Sequence, residues 1–150
     1  MSGRNLSRTF FICYSALWRV ARFFLKRNPR MAEGWEERLI PDDWLKQEYC
    51  ESSGAARSID VWIQAASGGE ARLAEAICQS LDPAAPLRVL ITTWTAQGRS
   101  VINAFLPALS QSHPMLSIAV RFAPLDSPEY VCKALALARP RLVALLETEL

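Results

Sequence analysis

Two short segments of this chain gather residues that can do chemistry. Ser67-Gly68-Gly69-Glu70 puts a hydroxyl, two small residues and a carboxylate within four positions. Glu147-Thr148-Glu149 ends an apolar run, and strand alternation sets both carboxylates on one side with Thr148 opposite. A carboxylate held beside a substrate hydroxyl can take its proton as a general base. Glycines beside it let a bulky ligand approach the backbone. Between these segments lies Thr92-Thr93-Trp94-Thr95, with Gly98 close behind, offering hydroxyls and backbone N–H groups to a sugar or phosphate. Each group also has a plainer role. S-x-x-E is a capping box, in which Ser67 caps a helix and Glu70 reaches back. The threonines are equally suited to capping the next helix. Residue pattern alone leaves both roles open.

These groups need elements to hold them, and the chain supplies an alternating series. Ile59–Ala66 reads as a strand and Glu70–Leu81 as a helix with Ala74, Ile77, Cys78 and Leu81 on one face. Leu87–Thr93 is a second strand, and Ala96–Leu109 has Val101, Ala104, Phe105 and Ala108 at helical spacing. Leu116–Phe122 is a third strand, and Ser127-Pro128-Glu129 opens a helix to Ala138 with N-cap and N1-proline chemistry. Leu142–Leu146 is a fourth strand. Such alternation predicts an α/β fold, Rossmann-like, with a parallel sheet. Ligands of such sheets bind at the carboxyl ends of the strands. That rim is where Ser67–Glu70, Thr92–Thr95, Pro124-Leu125-Asp126 and Glu147–Glu149 fall.

Other chemistries are disfavoured. The 150 residues hold one histidine, His113, beside Pro114 in an expected surface loop, so a histidine-based triad is not credible. Four scattered cysteines without C-x-x-C make neither a zinc site nor a disulfide scaffold. No G-x-G-x-x-G is present, so the dinucleotide fingerprint is missing. With 51% hydrophobic and 21% charged residues, the chain is composed as one folded domain.

The net charge of +2 hides an asymmetry: residues 1–30 carry seven bases and no acids. Phe10, Phe11, Tyr14, Leu17, Trp18, Ala21, Phe24 and Leu25 recur at helical spacing, with Arg19, Arg22, Lys26 and Arg27 between them. This predicts a basic amphipathic helix ending near Asn28-Pro29, suited to an anionic membrane surface. The competing reading is a helix that covers part of the same protein, and nucleic acid is a weaker third. The expected organisation is a membrane-interacting head (1–30), a connector (31–58) and an α/β domain (59–150). In the connector Glu33–Leu39 is expected as a short helix, and Pro41-Asp42-Asp43 as a turn or a new helix start. A loop and helix are expected after the fourth strand, so the chain reads as the front piece of a longer protein.

Taken in order, the motifs resemble the 3-deoxy-D-manno-octulosonic acid (Kdo) transferases of lipopolysaccharide synthesis. The similar stretches are Asn28-Pro29 with Gly34-Trp35-Glu36-Glu37-Arg38-Leu39; Trp62–Glu70; Thr92–Gly98; Pro124-Leu125-Asp126-Ser127-Pro128; and Pro140-Arg141-Leu142 leading to Glu147-Thr148-Glu149-Leu150. Gln64 and Gly68 stand where the family usually has His and Val, and Trp94 and Gln97 also depart from its pattern. The resemblance implies the N-terminal, acceptor-side half of a GT-B-type glycosyltransferase, its CMP-sugar-binding domain absent. It implies transfer of Kdo from CMP-Kdo to a lipid A precursor at the cytoplasmic face of the bacterial inner membrane, without cofactor, metal or nucleic acid. Glu70 matches the proton acceptor and Glu147 a transition-state stabiliser. Ser67, Gly68, Gly69, Thr93, Thr95 and Arg38 fall at substrate-binding positions. A membrane-docked non-catalytic α/β interaction module, or the acceptor half of another GT-B enzyme, are the alternatives.

Overall fold

The computed structural model describes residues 13–14, 17–18, 20–45 and 58–146. Its centre is a parallel sheet of β1 (Val61–Ala65), β2 (Leu87–Thr93), β3 (Leu116–Phe122) and β4 (Leu142–Leu146), in the order β3-β2-β1-β4. Three helices connect the strands: α1 (Gly68–Ser80), α2 (Ala96–Ser112) and α3 (Pro128–Ala138). The apolar runs form parallel strands because both sheet faces are covered for most of their width. Successive residues of a strand face opposite sides. Ile63, Val89 and Ile91 pack beneath α1 and α2, against Ala71, Ala74, Cys78, Ile102, Phe105 and Leu109. Trp62, Leu90 and Ala119 pack on the other side, with Tyr130, Ala134 and Ala138 of α3.

The change of face has a topological reason. The chain moves from β1 through β2 to β3 in one direction, then returns past both to β4. Parallel crossovers keep one hand, so reversing the direction of travel moves the helix to the opposite face. The strands expected at Leu87–Thr93, Leu116–Phe122 and Leu142–Leu146 form over those residues, and α3 ends at Ala138 as expected. The first strand is shorter than Ile59–Ala66, and α2 runs three residues past Leu109. β4 is an edge strand, and Leu142, Val143 and Leu145 are exposed on it.

The connector joins the core. One-turn helices form at Pro29–Ala32 and Trp35–Arg38, with a turn over residues 42–45. Trp35, Ile40 and Trp44 are buried with Trp62 and α3, and the Trp44 and Trp62 rings meet edge-on at 5.9 Å. Ahead of them, residues 13–14, 17–18 and 20–25 are helical, followed by a turn at 26–28. Trp18 and Leu25 pack on the α3-side core. The Tyr14 hydroxyl donates to the Asp126 backbone and carboxylate oxygens (3.0 and 3.1 Å), and Arg22 donates to the Tyr130 hydroxyl at 2.6 Å. So one side of the head covers the same protein. Its other side leaves Leu17, Val20, Phe23 and Phe24 60–65% exposed. Among the described residues, no helix is long and apolar enough to cross a membrane.

Candidate functional site

The parallel register sets the carboxyl ends of three strands side by side: Ala65 pairs with Thr93 of β2 and with Leu146 of β4. The first turn beyond β1 is the Ser67–Glu70 segment. Ser67 is extended (φ −132°, ψ −176°) and is the N-cap of α1. The capping box forms in full: the Ser67 side chain accepts from the Glu70 N–H, and the Glu70 side chain accepts from the Ser67 N–H. The second bond joins Ser67 N to Glu70 Oε2 at 2.7 Å, and Ser67 Oγ also lies against that oxygen. This geometry follows from the sequence, since Glu at the third helical position reaches back over one turn. It leaves Glu70 only 7% exposed, at the end of the strand. An anion there is favoured by the dipole and N–H groups of α1.

The turn beyond β2 interlocks with the first. Thr92 and Thr93 are buried, and the Thr92 hydroxyl accepts from Trp62 Nε1 at 2.8 Å. Thr95 caps α2, its hydroxyl accepting from the Gly98 N–H at 3.0 Å. Gly98 is what allows the approach: a Cβ there would overlap Thr93 Oγ1 and stand 3.2 Å from the Ser67 carbonyl oxygen. Gly98 is therefore the point at which the second turn approaches the Ser67 turn, with Thr93 and Thr95 packed beside it, while Gly68 and Gly69 open the first turn of α1. Cβ atoms at Gly68 and Gly69 would meet only ordinary contacts, with Gln97 and with Ser67 Oγ.

Arg38 sits deeper than a substrate contact would suggest, at 0% exposure. It donates to the Trp94 carbonyl oxygen at 2.8 Å and to that of Glu33 at 3.4 Å. Its guanidinium lies 4.4 Å from the Phe122 ring centre and 5.5 Å from that of Trp94. Burial lowers its pKa, the carboxylates of Glu37 and Glu33 oppose that, and the nearby Arg99 adds to the lowering. Glu37 bridges Arg99 of α2 at 2.6 Å and Arg121 of β3 at 3.5 Å.

Beyond β3, Ser127 is the buried N-cap of α3, and Asp126 holds the head through Tyr14. The structure thus brings Ser67, Gly68, Gly69, Glu70, Thr93 and Thr95 onto one rim, with Arg38 behind it. Glu147 and Glu149 lie outside the described residues. His113 lies at the far end of α2, with ring nitrogens 2.8 Å from Ser112 Oγ and 3.2 Å from the Gln79 carbonyl oxygen. Among the described residues no group of three His, Cys, Asp or Glu is placed to hold a metal ion. Sequence reasoning named Arg38 through the family resemblance but missed its burial and the ion pairs of Glu37, because both depend on residues far along the chain. The one local signal was Gly34 before them, whose φ of +68° marks a forced turn.

Neither the curated proteins nor the solved structures contain a match to this chain. A family model does: that of the 3-deoxy-D-manno-octulosonic-acid transferases (kdotransferases) matches residues 21–150. The match takes in the connector, every strand and helix of the sheet, and both interlocked turns. With its Rossmann-like parallel sheet and its carboxylate-bearing rim, the chain belongs to the Kdo transferase family, glycosyltransferases of lipopolysaccharide biosynthesis.

Proposed function

We propose that this chain is the acceptor-side domain of a GT-B-type enzyme that moves Kdo from CMP-Kdo to a hydroxyl of a lipid A precursor. The observation that carries the reading is the buried Glu70 carboxylate, held by the capping box at the carboxyl end of β1. Glu70 takes the proton of the acceptor hydroxyl as that oxygen attacks the anomeric carbon of Kdo. The new C–O bond forms while the bond to CMP breaks, and CMP leaves with the electron pair. The transition state is oxocarbenium-like and gains from a second negative charge. Glu147, directly after β4, is the residue we assign to that role. Ser67, Gly68, Gly69 and Thr95 form the wall against which the acceptor lies, with Thr93 buried behind them.

We place the reaction at the cytoplasmic face of the bacterial inner membrane. Two features support this: the outward apolar row Leu17, Val20, Phe23 and Phe24, and the bases around it, with the Arg27 guanidinium 3.9 Å from the Phe23 ring centre. Apolar side chains beside long basic ones suit the boundary between headgroups and acyl chains.

Glu70→Gln tests the base assignment in the catalytically competent protein. Glutamine keeps the capping geometry, so stability changes by well under ~1 kcal/mol. It cannot accept the proton, so turnover falls roughly 10²–10⁴-fold. Ser67→Ala is the converse control, with a stability loss of about 0.5–2 kcal/mol and a smaller loss of turnover. Near-wild-type turnover by Glu70→Gln returns Glu70 to a purely capping role.

A further inference from the structure

We propose that Arg38 is a positioning residue: the segment Gly34–Arg38 clamps the carboxyl ends of β2 and β3 and holds the Thr93–Gly98 turn against the Ser67–Glu70 turn. The part played in transfer rests on the function proposed above, whereas the clamp itself does not.

Three contacts define it. Arg38 donates to the carbonyl oxygen of Trp94, the residue between the end of β2 and the Thr95 cap. The Arg38 carbonyl oxygen accepts from Leu125 N at 3.2 Å, just beyond β3. Its neighbour Glu37 holds Arg99 in the first turn of α2 and Arg121 in β3. One five-residue segment thereby grips the ends of two strands and the start of the helix that packs on Ser67. Phe122 is the floor of the grip, with the Arg38 and Arg99 guanidinium groups 4.4 and 4.7 Å from its ring centre. Gly34 lies so close to that ring that a Cβ would overlap it, and its positive φ fixes the approach.

Burial separates positioning from direct binding. Arg38 has no exposed surface, and two of its nitrogens are committed to backbone carbonyls on separate segments. A guanidinium can span two acceptors and lie flat against a ring, whereas an ammonium is a point charge on a flexible stem. Charge alone is therefore the wrong requirement for this position, and fork geometry is the right one.

The test is Arg38→Lys in the full chain, with amide hydrogen exchange followed residue by residue. The reporters are the Gly98 N–H, bonded to Thr95 Oγ1, and the Ser67 N–H, bonded to Glu70 Oε2. Loss of the fork should speed exchange at both by ten-fold or more, with Ala134 and Ala138 of α3 unchanged. Gly34→Ala, which shifts the clamp and keeps Arg38, should give the same pattern. Unchanged exchange at Gly98 and Ser67 overturns the proposal, and so does a uniform rise that includes α3. In the catalytically competent protein, Arg38→Lys should lower kcat at least ten-fold with KM within about two-fold. A raised KM with kcat retained identifies Arg38 as a direct acceptor contact and also overturns the proposal. If the wild-type protein transfers no Kdo, the functional reading fails and the exchange pattern still decides the clamp.

Discussion

Gly98→Ala adds a single methyl group at the point where the two rim turns meet. That methyl would overlap Thr93 Oγ1, and it would lie 3.1 Å from Thr95 Oγ1 and 3.2 Å from the Ser67 carbonyl oxygen. Thr93 is fully buried. The Thr95 hydroxyl is the acceptor for the Gly98 N–H, so pushing it away also removes the cap of α2. Overpacking of a tight site costs about 1–3 kcal/mol, and loss of a threonine cap about 1 kcal/mol. The expected loss is then about 2–4 kcal/mol, a fall in Tm of roughly 5–15 °C for a chain of this size. Gly69→Ala is the internal control. Its methyl would meet only Ser67 Oγ at 3.7 Å, at an exposed position of the first turn where alanine is the better helix former. It should be neutral or stabilising by up to about 1 kcal/mol. Thermal unfolding of the two variants beside the parent is the assay. A Gly98→Ala variant as stable as the parent, or a Gly69→Ala variant equally damaged, would refute the interlocked-turn geometry.

Trp62→Phe removes the donor to the Thr92 hydroxyl and leaves a buried acceptor unpaired, so chemical denaturation should show a loss of about 1–3 kcal/mol. Burial pushes the Cys78 thiol up to about 11, while Cys13 and Cys132 are exposed. Iodoacetamide at pH 8 should therefore label Cys13 and Cys132 well before Cys78 in the native protein, and equal labelling by mass spectrometry would count against the packing of α1. Replacing Leu17, Val20, Phe23 and Phe24 together by serine should lower recovery with anionic vesicles in flotation by ten-fold or more, at nearly unchanged Tm. Equal recovery would remove the membrane reading of the head.

The sheet and the rim were legible because their signals are local and repeated. Apolar runs bounded by helical periodicity mark Leu87–Thr93 and Leu116–Phe122 to the residue, and S-x-x-E marks the α1 cap that the structure shows in full. The head was half legible. Its apolar residues were read as a single stripe, but Tyr14, Trp18 and Leu25 turn toward the protein while Leu17 and Phe24 turn away. Periodicity reports that a residue is on a face and is silent about which partner covers it. Of the clamp, only its short helix was legible, expected over Glu33–Leu39 and formed at Trp35–Arg38. The burial of Arg38 depends on Phe122 and Trp94, more than fifty residues away along the chain. Glycine spacing could not reveal Gly98 either, since the close approach of Ser67 exists only after α1 and α2 have packed.

The strand order has a consequence for how this molecule assembles. β1 meets β2, and β2 meets β3, across roughly 30 residues of chain, each pair closed by its own helix. β4 must find β1 across roughly 80. Closing the longer loop costs about 1 kcal/mol more in chain entropy, and non-local pairings of this kind slow folding. The two interlocked turns belong to the local part, so they can form as soon as β1 through α2 is in place. Among the described residues, β4 lies at one edge of the sheet with Leu142, Val143 and Leu145 exposed, and of these four strands it is the last to arrive and the first to open. In exchange experiments its amides should lose protection ahead of β2, which lies between β1 and β3. Of these four strands, the one that pairs last is thus the immediate neighbour of β1, whose end carries the turn that holds Glu70.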